Sequence, residues 1–275
     1  MSENKKKKDE LCLDEIMDES KIDDPTFRKT HLKVICDLYK QRRNRMIVMS
    51  GLLITIIMTA IYGTLENPFQ YTLSNIGNFF SYREVFIIWA IVAGVAIQTA
   101  CVSLFRLENF KQRRSFTFVI YASVFLVLTA IIPAIKDKFP FWHFVHVLTS
   151  IFYALFLILG LQPFLHYVSK ENPRLRRIIA IWQYLIIGGG FLGIVIFGMS
   201  GIFEIWCISS VTVFLLYLSL ILYEENIVKK SVNLLKDEEN LNIGIEKVFV
   251  PENPVKPVKK RVYKKKPPVK EMTSK

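Results

Sequence analysis

The sequence predicts an all-α fold: a polytopic bundle of six transmembrane helices with charged cytosolic tails. Three observations predict it. Residues 46–223 contain six apolar runs of about 20 residues, the length that crosses a hydrocarbon core about 30 Å thick. The runs are apolar all round, whereas a soluble surface helix carries one apolar stripe. Basic residues gather in alternate loops, as they do in multi-pass proteins. The chain is 52% hydrophobic with a mean hydropathy of +0.31, an average over this apolar block and two strongly charged ends.

Residues 1–45 read as a charged tail. Its first part, MSENKKKKDELCLDEIMDES, mixes lysines with Asp and Glu and is expected to be disordered. No apolar stretch follows those lysines, so no secretory leader is read and the first span is expected to direct insertion. In Pro25–Arg45, Leu32, Val34, Ile35, Leu38 and Tyr39 form an approximate helical stripe beside many bases. This predicts a juxtamembrane amphipathic helix on an anionic membrane surface. A plain extension of the first span fits the same residues.

The spans are placed at Met46–Gly63, Glu84–Phe105, Phe116–Ile135, Phe141–Val168, Ile178–Met199 and Ile202–Tyr223. Arg106, Lys111, Arg113 and Arg114 follow the second span, and Lys170, Arg174, Arg176 and Arg177 follow the fourth. The opposite side has only Arg83, Lys136 and Lys138. The positive-inside rule then predicts an integral multi-pass protein with both termini in the cytosol, in the cell membrane if the source is prokaryotic. It also accounts for the net charge of +12 without nucleic acid. Spans three and four are joined by a short stretch around KDKFP, and spans five and six by Ser200 and Gly201 alone. Pro133 and Pro163 are expected inside helices three and four. In the fifth span Gly189 and Gly193, with Gly190 beside them, form a GxxxG face that lets a neighbouring helix approach. A seam within the bundle is the favoured reading and a homodimer seam is the rival.

Residues 224–275 form a basic tail: EENIVKKSVNLLKDEENLNIGIEKVFV has a weak helical pattern, and the stretch after it is rich in Pro and Lys, with no composition for a packed core. Its expected partners are anionic lipid headgroups; it has too few aromatics to stack on nucleic-acid bases. Cys12, Cys36, Cys101 and Cys207 make no CxxC pair, so no disulfide framework is expected.

Chemistry, if present, is expected on the outer face. Ser74, Asn75 and Gly77 read as a turn, with Gly77 free to take positive φ. Arg83 offers a guanidinium for phosphate, and Glu84 sits at a helix N-terminus where negative charge is favoured. His143 and His146 share one helix face, and Glu204 comes from the third outer loop. Two histidines with distant carboxylates are not a metal signature, so no metal and no cofactor is expected. The spans lack Asp, Glu, Lys and Arg at mid-depth, which argues against a proton-coupled transporter. No P-loop, GxSxG, HExxH or dinucleotide fingerprint is present.

The six-span layout, the Ser74–Gly77 turn, Arg83 with Phe86 at the start of helix two, and a histidine at the start of helix four resemble the DRAM-type membrane family. That family comprises the damage-regulated autophagy modulators, a GPI-anchor remodelling factor and prokaryotic six-span relatives. The resemblance covers Met46–Tyr223 and implies a trafficking or lipid-related role. Asn75 stands where the family carries an Asp, and the family's histidine corresponds to His146 or His143. The leading expectation is a non-enzymatic protein that binds lipid or a protein partner, another copy of itself included, through its outer face. The alternatives are an intramembrane lipid-modifying enzyme using the histidines and an outer carboxylate, and a small-solute transporter.

Overall fold

The computed structural model describes residues 25–135 and 137–237. The remaining parts of the two tails, with Cys12, and Lys136 of the second outer loop lie outside the described residues. The described residues are all-helical in their regular structure. Seven helices follow one another: α1 (Pro25–Gly63), α2 (Leu73–Phe79), α3 (Arg83–Leu107), α4 (Arg113–Ile131), α5 (Pro140–Glu171), α6 (Pro173–Phe197) and α7 (Gly201–Asp237). All but α2 are long and apolar enough to cross a membrane, and the protein reads as a multi-pass membrane protein. The described residues up to Leu234 form one compact unit, to which the following description applies.

Hydrogen bonds sort the helix ends into two groups. Arg45 pairs with Glu224, Asn172 with Glu225, and Asn226 donates to the Leu107 carbonyl. This is the base-rich end. Gly201, Glu204, Arg83 and His143 bond to the stretches 71–73 and 131–134 at the other, the turn end.

Three expectations are corrected. Pro25–Arg45 is no separate helix but an extension of the first span, the other of the two readings above; it forms the first turns of α1, which runs unbroken for 39 residues. That is about 58 Å at 1.5 Å per residue, against a hydrocarbon core of about 30 Å. The third span does not reach Ile135. Pro133 disfavours helical geometry at the residue before it, and Ile132 is extended at φ −77°, ψ 128°. Pro133 therefore lies beyond α4, whereas Pro163 does lie within α5. Lastly, Ser74, Asn75 and Gly77 belong to the short helix α2 rather than to a turn.

The core has two parts. Toward the base-rich end, Leu52, Ile97, Leu104, Phe105, Phe164, Leu215 and Leu218 pack together, with Phe105 touching the rings of Phe110, Phe116 and Phe164. Toward the turn end, Tyr62, Phe86 and Trp89 stack pairwise with ring centroids 5.6–5.9 Å apart. Gly160 lets α5 approach α4; a Cβ there would stand 2.7 Å from Val119 Cγ2 and 3.2 Å from the Ser115 carbonyl.

Candidate functional site

The turn end is built on Leu73. Thr72 caps α2, its Oγ1 accepting from the Asn75 N–H at 3.1 Å and lying 3.0 Å from Ser74 Oγ. The first N–H of the helix, on Leu73, donates to the Glu204 carboxylate at 2.6 Å. The Leu73 carbonyl accepts from the Tyr62 hydroxyl at 2.7 Å. Next to these contacts, the N–H groups of Gly201 and Ile202 donate to the carbonyls of Tyr71 and Pro68, each at 3.0 Å. A Cβ on Gly201 would strike the Tyr71 carbonyl. Gly77 does not supply positive φ; it supplies room. Its Cβ would lie 2.9 Å from Phe86 Cβ and 3.0 Å from Tyr62 Oη, so glycine is what brings α2 onto the aromatic stack.

The second group surrounds the end of α4. A helix end leaves carbonyls without partners inside the helix, and the extended residues after Ile131 expose more. Arg83 donates to the Ile131 carbonyl at 2.8 Å. His146 Nδ1 meets the Ile132 carbonyl at 3.2 Å, and His143 Nδ1 meets that of Ala134 at 2.8 Å. A carbonyl only accepts, so Nδ1 carries the proton in both rings. Cationic and donor groups at a helix C-terminus are favoured by its dipole as well. His146 is buried, His143 half-buried and Arg83 exposed.

The expected outer-face residues thus divide. Ser74, Gly77 and Glu204 join the network around Leu73, with Asn75 contributing its N–H. Arg83 caps α4, and His146 and His143 hold the carbonyls of the extended residues after it. Glu84 is exposed in the first turn of α3 and takes part in neither. Among the described residues, no three His, Cys, Asp or Glu side chains converge as a metal site. The glycine face of α6 lies against α7: Gly189 meets the Trp206 indole, Gly190 has Cys207 Sγ 3.3 Å from its Cβ position, and Gly193 has the Phe203 Cα at 3.8 Å.

Sequence reasoning missed a polar cluster at the base-rich end. Glu225 accepts from Asn172 and pairs with Lys229, both at 2.9 Å. Tyr167 donates to the Glu108 carbonyl at 3.3 Å. Burial pushes the Glu108 carboxyl above its ordinary value; Lys229 opposes this, and the charges of Glu225 and Glu171 add to it. The available signal was four acids, Glu108, Glu171, Glu224 and Glu225, just past the apolar runs on an otherwise basic face.

No protein family, curated protein or solved structure matches the chain.

Proposed function

We propose that this is a non-enzymatic, lipid-binding membrane protein whose turn end contacts lipid headgroups. The observation that carries the reading is the engagement of the candidate catalytic groups in the fold. The Glu204 carboxylate holds the Leu73 N–H, and both histidines hold carbonyls beyond α4. The turn end is a set of caps on the backbone, with the most chemically versatile ring, His146, buried among them. What the turn end presents outward is the Arg83 guanidinium, Glu84 and the exposed rings of Phe79, Phe141 and Trp142. Arg83 spends one bond on Ile131 and keeps further donors for a phosphate. Aromatic side chains favour the headgroup level of a bilayer. In this reading the termini are cytosolic, as the distribution of bases indicates, and the resemblance to the DRAM-type family supports a lipid-related role.

The test uses proteoliposomes carrying a photoreactive phospholipid with its crosslinker in the headgroup. Wild type is expected to be labelled at residues 79–84 and 139–142, and Arg83→Gln to lose most of that label while its helical content is retained. Equal labelling of the variant overturns the assignment to this rim. Conversion of the lipid by wild type that is abolished in His143→Ala would replace the reading with the enzymatic one.

A further inference from the structure

A second site lies away from the turn end, between α1 and α3. The two helices run antiparallel in a register given by three contacts. The Cβ position of Gly51 is 3.6 Å from Ala96 Cβ, Trp89 Nε1 donates to Thr59 Oγ1 at 2.9 Å, and Tyr62 stacks on Phe86. Each step along one helix is therefore matched by one step back along the other. Around Gly51 and Ala96 the helices leave a groove of about 320 Å³, walled by Ile47, Ile54, Ile91 and Val95. Its lining is apolar except for Thr99.

The groove leads to two arginines. On α1, residues 43, 47, 51 and 54 recur at helical spacing, so Arg43 continues the groove face one turn beyond Ile47. On α3, residues 92, 95, 99, 102 and 106 do the same, which puts Arg106 on that face two turns beyond Thr99. Extrapolating the register from Gly51 and Ala96 places Arg43 level with Leu104. Arg106 then lies two residues farther along, a height difference of about 3 Å at 1.5 Å per residue. Both arginines are exposed. From Arg43 to Ile54 is about 16 Å along the helix, close to the depth of one leaflet of a core about 30 Å thick.

We infer that the α1–α3 groove holds one acyl chain of an anionic glycerophospholipid from the leaflet at the base-rich end, with its phosphate between Arg43 and Arg106. Charge complementarity selects the occupant. An apolar slot one leaflet deep accepts any lipid tail, but two guanidiniums at one level above it select an anionic head. The small pair Gly51 and Ala96 leaves the space that a larger side chain would fill. The site needs only that the chain spans a membrane, and it shares no residue with the rim around Arg83.

The test is native mass spectrometry of the full chain after delipidation, with phosphatidylglycerol or phosphatidylcholine titrated back. Wild type is expected to retain one phosphatidylglycerol in preference to phosphatidylcholine. The double variant Arg43→Gln, Arg106→Gln is expected to weaken that binding roughly thirtyfold, as for two bases near a surface. Val95→Trp, which narrows the groove from its exposed wall, is expected to weaken both lipids at this site. The same weakening by the arginine pair is expected in an Arg83→Gln background, where the turn-end rim is disabled, which separates this site from the rim. Equal retention of the two lipids, or retention indifferent to the arginine pair, would overturn the inference and leave ordinary boundary lipid.

Discussion

The two ends of the bundle solve the same problem with different partners. At the turn end, polar side chains bond to main chain: Tyr62 and Glu204 to Leu73, Arg83 to Ile131, His146 to Ile132 and His143 to Ala134. At the base-rich end, side chains mostly bond to each other: Arg45 to Glu224, and Asn172 and Lys229 to Glu225. A main-chain group has a fixed place, and burying it unpaired is costly. A surface ion pair joins two long side chains that water can serve equally well. The turn end is therefore specified by geometry, and the base-rich end by charge.

The comparison is sharpest at Glu204. Glu204→Ala leaves the Leu73 N–H without its acceptor, and a buried donor left unpaired costs about 1–3 kcal/mol. Thermal unfolding in nanodiscs should show a loss of that order, with Glu204→Gln losing less because it keeps an acceptor. At the other end, Arg45→Gln or Glu224→Gln should cost less than about 1 kcal/mol, and the cost should shrink as salt rises. If the Arg45 variant costs as much as Glu204→Ala and ignores salt, the two ends are not different in kind.

The smallest effect is a dependence on pH at Glu108. Its carboxyl is raised, so folding favours the protonated form. That contribution is present at low pH and is lost as pH climbs from the ordinary value of 4.5 through the raised one. The difference in melting temperature between wild type and Glu108→Gln should therefore drift against wild type across that window. A drift in wild type's favour would mean that Lys229 outweighs burial.

Much of the fold was legible because a bilayer leaves few choices. Apolar runs such as Glu84–Phe105 and Phe141–Val168 differ from the helices by a few residues at their ends, whereas α7 passes the expected end at Tyr223 and continues to Asp237, into the stretch read as the basic tail. The misplaced boundary at Ile135 was also legible, since Pro133 carries the signal in its own ring. The helix α2 had a sequence mark too, Thr72 three residues before Asn75, but its polar residues resemble those of a turn. The roles of Arg83, His143 and His146 were not legible. Their acceptors are backbone carbonyls, which every residue possesses, and which of them lack partners depends on where α4 stops. The bond from Leu73 to Glu204 joins positions 131 residues apart, a distance no local pattern spans.

That separation has a consequence in time. A chain emerging from the ribosome delivers the loop at residues 64–72 after its first span and the start of α7 only after four more spans. Until then, the carbonyls of Pro68 and Tyr71 and the Leu73 N–H have only water or lipid headgroups for company. Gly201, Ile202 and Glu204 supply all three missing partners within four residues. The last span thus acts as a clasp, and the order of synthesis makes its arrival the step that locks the first loop in place.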